Sequence, residues 1–189
     1  EDLKRKDARP TLLVYPDYLF VTLFEPGVSA RQVTSQEIHC IITDNALITV
    51  RPNNTKSIEN AYDRVTRSPD VWQQDTAYFL YLATRHVIDA YYPALDQISV
   101  DLNRMEEGLL EEGTHAPSHT QHRVHLRKQQ LIKLRRMVAP QREVLSNVVG
   151  EKRLSQSAET RDLFRHLYER LLRVYDVIDT QRELCNTVL

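Results

Sequence analysis

The sequence is poor in the residues that form disulfides, tight turns and membrane spans. Its 189 residues include only four glycines and two cysteines, Cys40 and Cys185. So small a number of cysteines is weak support for a disulfide, and a reducing compartment is the simpler interpretation. No run reaches the ~18 to 20 apolar residues that a membrane-spanning helix needs, and no signal peptide is visible. We therefore expect a soluble, cytoplasmic chain with few tight turns, cut from a longer protein because it ends inside a helical pattern.

Charge and motifs exclude several functions. The net charge is −1 at pH 7, whereas a nucleic-acid-binding protein usually carries a basic surplus. The chain has no Gly-rich phosphate loop, no G-x-S-x-G elbow and no H-E-x-x-H or C-x-x-C motif. These absences argue against a nucleotide-dependent enzyme and a zinc protease, and we expect no enzyme and no nucleic-acid partner.

The first third of the chain carries the signals of a small sheet. Runs rich in β-branched and aromatic residues predict four strands, over Thr11–Tyr15, Tyr18–Phe24, Glu37–Ile42 and Ala46–Val50. The stretch Glu25–Ser35 contains Pro26 and Gly27 and predicts a polar loop. A short helix should follow, because Ile58 and Ala61 begin a helical spacing.

Three long helices are predicted for the rest. A capping Ser68 and Pro69 favour a first helix that runs to about Glu112 and bends at Pro93. Its apolar seam and that of the second helix repeat at steps of three and four residues. The second helix covers roughly His119–Val149 and should bend at Pro140. The third, Glu159–Leu189, has the 3.5-residue repeat of a helix packed along another helix, with Ser157 as its cap.

Opposite charges predict how the first two long helices pair. The end of the first is acidic, with Asp101 among six carboxylates, and the start of the second is basic, with Arg127 among six cations. An antiparallel hairpin would place these stretches side by side, although exposed pairs contribute only ~0 to 1 kcal/mol each. The alternative is that each charged face is solvated separately. We favour pairing, which would orient the two helices rather than stabilise them.

The fold class that follows is α+β. We expect a small mixed or antiparallel sheet with short helices, followed by three long helices: an antiparallel charged hairpin and a stalk. The chain should form a single domain, with a sheet-containing part over residues 1–67, the helical hairpin over 68–150 and the stalk helix over 157–189.

One histidine group has a spacing that can chelate a transition metal. His115, His119, His122 and His125 follow one another at steps of three and four residues, which puts neighbours on adjacent helical turns. The ordinary alternative is a polar turn, because fixed partners for the imidazoles are not evident. His119 and His122 are therefore secondary metal candidates.

Several short runs, in order, resemble the cytoplasmic domain of CorA-type divalent-cation transporters over nearly the whole chain. They are Glu1-Asp2-Leu3, Arg9-Pro10, Tyr15 to Val21, Leu47 to Arg51, Tyr78 to Leu82, Val87 to Tyr92, Leu134 to Leu145 and Phe164-Arg165-x-x-Tyr168. The resemblance implies a homopentamer on the cytoplasmic face of the inner membrane, with stalk helices that continue into membrane segments absent from this chain. It also implies a Mg²⁺ or other divalent-cation site, such as Co²⁺ or Zn²⁺, between neighbouring subunits.

The resemblance also implies departures at the metal site. The family's Glu-Asp pair falls at Glu1 and Asp2, its acid on the first long helix at Arg85, and its stalk aspartate at His166. We hypothesise that Arg85 pairs with Glu1 or Asp2 and supplies permanently the positive charge that Mg²⁺ supplies elsewhere. Alternatively, His166 and the two carboxylates form a softer site for Zn²⁺, Co²⁺ or Ni²⁺, or His166 is an ordinary surface residue.

Four functions are weighed from this sequence, of which the least favoured is a metal-dependent enzyme built on the histidine group, because no nucleophile or acid–base pair accompanies it. The first is a cytosolic regulatory and assembly domain of a Mg²⁺/Co²⁺ transporter that senses intracellular cation at subunit interfaces. The second is a relative that transports zinc or another transition metal without Mg²⁺ gating, and the third is a non-transport helical scaffold or adaptor.

Overall fold

The computed structural model describes residues 9–28, 32–53, 55–112, 118–154 and 157–187. The strands form one antiparallel sheet in chain order: β1 Thr11–Val14, β2 Leu19–Val28, β3 Val33–Ile42 and β4 Leu47–Val50. The helices are α1 Lys56–Arg67, a 3₁₀ helix Pro69–Gln73, α2 Thr76–Asp89, α3 Tyr91–Glu112, α4 Ser118–Gly150 and α5 Ala158–Thr187. The α+β class is confirmed, and the described sheet is antiparallel throughout.

The β2–β3 hairpin is longer than predicted, so the prediction of a polar loop over Glu25–Ser35 is wrong. Pro26 pairs with Ser35 and Gly27 with Thr34 inside the ladder. The pairing with β1 ends at Thr22, so the far half of β2 is an edge, where a missing N–H costs no ladder hydrogen bond. Proline and glycine therefore mark an edge strand here and not a break.

At this edge of the sheet, side chains from α3 and α4 make hydrogen bonds to the backbone of Phe24. The Phe24 N–H donates to Oε1 of Gln141 at 3.0 Å, and the Phe24 carbonyl accepts from the Tyr91 hydroxyl at 2.9 Å. The Gln141 amide also donates to the Tyr91 hydroxyl at 2.7 Å. Burial raises the pKa of Tyr91 well above its ordinary value of 10.0. The phenol thus remains a neutral donor that joins the sheet to α3 and α4.

The predicted start of the first long helix is wrong. Ser68 and Pro69 open the 3₁₀ helix, and the Ser68 side chain makes no capping hydrogen bond. The cap of α2 is Asp75, whose carboxylate accepts from the Tyr78 N–H at 2.8 Å. Val71 is 1% exposed within a small cluster with Leu82, so its burial favours a separate turn before α2.

The predicted helix is also divided, because α2 ends at Asp89 and α3 begins at Tyr91. Pro93 lies in the first turn of α3, where its missing N–H would have no partner within the helix. A continuous helix would require that N–H to donate to the carbonyl of Asp89 and would bring the ring against it. The break at Ala90 replaces the expected bend, whereas α4 continues through Pro140.

The three long helices form one bundle under the sheet. The Arg127–Asp101 ion pair joins the antiparallel α3 and α4, as the charge pattern predicted. One hydrogen bond from Gln181 to the Leu95 carbonyl of α3 at 3.2 Å, together with contacts between α4 and α5, holds the stalk against both helices. The predicted stalk seam is buried from Phe164 to Cys185, whereas Val188 lies outside the described residues. Within the described part of the chain, no helix has the length and apolarity to span a bilayer.

Candidate functional site

The structure describes two of the four residues predicted for the main metal site. Glu1 and Asp2 lie outside the described residues, so the hypothesis that Arg85 pairs with one of them stays a prediction. Arg85 and His166 are both exposed, on α2 and α5 respectively. The candidate site is therefore the α2–α5 interface, whose two helices carry these side chains.

The two helices run side by side in the same direction. The Tyr81 ring lies edge-on to Phe164 at a centroid distance of 6.3 Å, and eight residues further along α2, Asp89 accepts a hydrogen bond from Arg170. Arg85 lies midway between the two α2 positions, and His166 lies between the two α5 positions. The fold therefore places Arg85 and His166 at a similar height on neighbouring helices.

Asp89 is the electrostatic centre of this region. Its carboxylate accepts from the Arg170 guanidinium, and the Nε of Arg85 lies 3.8 Å away across one turn of α2. The Arg170 guanidinium also lies 5.8 Å from the centroid of the Tyr92 ring. One carboxylate with two guanidinium groups leaves a positive balance, which would repel a metal cation rather than attract it.

His86 lies next to Arg85 and is half-buried. Burial lowers its pKa below the ordinary 6.5, an effect that Asp89 opposes and Arg85 reinforces. The imidazole is therefore neutral at pH 7, with one nitrogen free to accept a hydrogen bond. Sequence reasoning missed His86, although it follows Arg85 directly.

Sequence reasoning also missed two further charged residues of this region, Asp89 and Arg170. The spacing of four residues between Arg85 and Asp89 was visible as a helical ion pair. Arg170 carried no such signal, because it lies 81 residues from Asp89 in the chain. Only the packing of α5 on α2 brings that guanidinium to the carboxylate.

The secondary candidates, His119 and His122, are both exposed near the start of α4. His115 lies outside the described residues. The imidazole of His125, the last histidine of the group, contacts the side-chain amide of Gln129 at 3.5 Å. Over the described ranges, no three histidine, cysteine, aspartate or glutamate side chains come together in a way that could hold a metal ion. This part of the chain thus has no preassembled metal centre, and His119 and His122 remain predictions.

A second charged region locks the stalk to α4. Arg135 donates to Asp179 at 3.0 Å and to the Tyr175 hydroxyl, and the Arg142 guanidinium lies 4.5 Å from the centroid of the Tyr175 ring. Lys128 donates to Asn186 at 2.8 Å near the far end. These contacts fix the antiparallel register of α4 and α5, so α5 is held on both sides.

Comparison with known proteins places the whole chain in one family. The family model for the CorA-like Mg2+ transporter protein matches residues 1–189. The chain is 24% identical over 192 residues to the cobalt/magnesium transport protein CorA of Thermotoga maritima, covering 100% of this chain and 54% of that protein. It is 23% identical over 186 residues to the putative metal ion transporter YfjQ of Bacillus subtilis, covering 97% and 56% respectively. The chain thus spans about half the length of these relatives.

Solved structures share the fold. The soluble domain of CorA from Methanocaldococcus jannaschii superposes with a TM-score of 0.82 at 19% identity, over 95% of this chain and 71% of that one. The cytoplasmic domain of ZntB from Vibrio parahaemolyticus gives a TM-score of 0.78 at 14% identity, over 97% and 71%. At these identities the likeness concerns the fold alone.

Proposed function

Because the chain belongs to the family of CorA-like Mg2+ transporter proteins, we propose that it is the cytosolic regulatory and assembly domain of a divalent-cation transporter. The transported ion is of the Mg²⁺/Co²⁺ class, and the domain senses intracellular cation where subunits meet in a homopentamer. The observation that carries the proposal is the family match over every residue of the chain. Ion conduction is left to the part of the transporter that this chain does not span.

The parallel packing of α5 on α2 supports a regulatory role. The Asp89–Arg170 hydrogen bond ties the stalk to the break between α2 and α3, and Gln181 ties it to α3. A shift of α2 or α3 on cation binding would therefore act on α5 through direct contacts. This is the kind of two-element connection that a change at one site needs in order to reach another.

The charges at the α2–α5 interface favour a second candidate within the same class. Arg85 and Arg170 flank Asp89, so this interface offers guanidinium groups, whereas a Mg²⁺-dependent site would need uncompensated carboxylates. His166 adds an imidazole, which suits Zn²⁺, Co²⁺ or Ni²⁺ better than Mg²⁺. This candidate is a transporter of a transition metal whose assembly does not depend on Mg²⁺.

Analytical ultracentrifugation with and without metal tests both candidates. The chain should sediment as an oligomer at high concentration, and EDTA followed by Mg²⁺, Co²⁺ or Zn²⁺ shows which ion changes the distribution. For a Mg²⁺ sensor, Asp2→Ala should abolish the Mg²⁺ response. The matched control is Asp162→Ala, an exposed α5 carboxylate whose ion pair among the described residues is with Arg165, one turn away at 2.8 Å.

The outcomes separate the candidates. Tight Mg²⁺ binding in titration calorimetry that is lost in Asp2→Ala would refute the permanent positive charge at Arg85. A response to Zn²⁺ that is lost in His166→Ala, with no response to Mg²⁺, supports the transition-metal candidate. A chain that remains monomeric and binds none of the three ions would contradict the proposed function and favour a scaffold.

A further inference from the structure

A cleft of about 600 Å³ lies between the edge of the sheet, α1 and the break between α2 and α3, and it shares His86 and Asp89 with the α2–α5 region. Polar side chains from all three parts line it, including Glu25, Gln36, Asn60, His86, Asp89 and Gln97. Its volume is within the range of small-molecule sites, which is ~300 to 1,000 Å³.

Glu25 is the group that gives the cleft its chemistry. The residue is only 7% exposed, and its Oε2 accepts from the Ser57 hydroxyl at 2.5 Å and the Ser57 N–H at 3.3 Å. None of the ion pairs found among the described residues includes Glu25. A buried carboxylate requires compensation for its lost water, and here neutral donors supply it.

The other side chains of the cleft add acceptors. Oε1 of Gln36 is buried and has no hydrogen-bond partner among the residues that the structure describes, an uncommon condition for a buried polar atom. Asp89 contributes a carboxylate, but Arg170 and Arg85 already compensate its charge, so Glu25 is the carboxylate of the lining that has no ion pair among the described residues. The neutral His86 contributes a nitrogen lone pair. Lys56 is the cation of the lining, on an exposed side chain. The enclosed part of the cleft therefore presents acceptors to whatever enters it.

We propose that this cleft binds a small organic cation through its ammonium or guanidinium group, with Glu25 as the anionic partner and Gln36 as a further acceptor. An ammonium group carries three N–H donors and a positive charge. Its charge therefore matches the Glu25 carboxylate, and its donors match the Gln36 oxygen. A bare metal ion fits less well, because the described residues bring no three metal-ligating side chains together and the cleft is far larger than an ion. Because Asp89 also binds Arg170 of α5, an occupant would contact a residue that holds the stalk.

Titration calorimetry and NMR on the chain of residues 1–189 test the proposal, with 1,4-diaminobutane as the probe and Mg²⁺ as the comparison. We expect saturable binding of the diamine, with amide shifts at Gly27, Asn60 and Gln97. Glu25→Gln keeps an acceptor for Ser57 but removes the charge, so the affinity should fall at least about tenfold, the effect of one modest interaction. Asp63→Asn is the control, since that carboxylate is exposed on α1 and pairs with Arg67 at 2.9 Å.

Each outcome decides the question. No saturable binding of the diamine at millimolar concentration overturns the proposal, as do shifts located elsewhere or an equal loss in Asp63→Asn. Binding of Mg²⁺ at the same amides, without binding of the diamine, shows that a hydrated metal ion and not an organic cation occupies the cleft. If Glu25→Gln does not fold, Gln36→Leu and the shifts of the unaltered chain provide the test. This experiment does not depend on oligomerisation or metal response, so it is independent of the proposed function.

Discussion

Replacing Asp101 by asparagine should destabilise the chain by about 2 kcal/mol. The Asp101 and Arg127 side chains are only 17% and 11% exposed, so the substitution removes a negative charge from beside a mostly buried guanidinium. Breaking a fully buried pair costs ~3 to 5 kcal/mol. The remaining exposure and the acceptor Gln130, at 2.6 Å from Arg127, reduce that figure.

Urea unfolding followed by circular dichroism measures the loss of free energy directly. A loss of about 2 kcal/mol corresponds to a fall in melting temperature of about 4 to 8 °C for a domain of this size. The control is Asp162→Asn on the exposed pair with Arg165, whose side chains are 57% and 55% exposed. That variant should lie within about 0.5 kcal/mol of the unaltered chain.

A double-mutant cycle with Arg127→Gln isolates the pairing energy from the other contacts of each residue. We expect a coupling energy above about 1 kcal/mol, maintained at high salt because the pair is poorly accessible to ions. The reasoning is refuted if Asp101→Asn costs no more than Asp162→Asn. A coupling energy near zero would likewise show that these charges do not orient the α3–α4 hairpin.

Three further predictions concern other parts of the fold. Gln141→Leu leaves the buried Phe24 N–H without an acceptor and should cost about 1 to 3 kcal/mol in urea unfolding; an unchanged midpoint would contradict this role. Burial raises the pKa of Cys40 from 9.0 to about 12, so the folded chain keeps a proton that the unfolded chain loses. This contribution is complete below pH 9 and is lost as the pH rises towards 12, which urea unfolding at increasing pH measures against Cys40→Ala. Asp75→Ala removes the cap of α2 and should cost about 1 kcal/mol, whereas Ser68→Ala should cost little, and equal losses would restore the helix start predicted from sequence.

The long helices show how much periodicity can establish. Residues at steps of three and four along the stalk predicted its buried seam, and Phe164, Leu171 and Ile178 are each 0% exposed. Such a seam is a local property, because the helix period alone decides which side chains share a face. The charge contrast between α3 and α4 likewise predicted the hairpin in which Asp101 meets Arg127.

Local sequence signals could not decide where some helices and strands begin and end, because more than one boundary satisfied the same rules. Ser68 with Pro69, and Asp75 seven residues after Ser68, both satisfy the rules for a helix start. The burial of Val71 favours a separate turn at Pro69–Gln73, so α2 begins after Asp75 and not after Ser68. Similarly, Pro26 reads as a break in the sequence, yet it is tolerated because β1 ends before it and leaves that part of β2 as an edge.

The sequence by itself therefore determined the family resemblance, the seams of the helices and the positive residue at position 85. The tertiary structure decided which charges meet. Arg170 reaches Asp89, and Glu25, Gln36 and His86 line one cleft, only because α1, the sheet and α5 pack on the break between α2 and α3. The physical reason is range: helix and strand periods act over a few residues, whereas a binding site is formed by contacts between segments far apart in the chain.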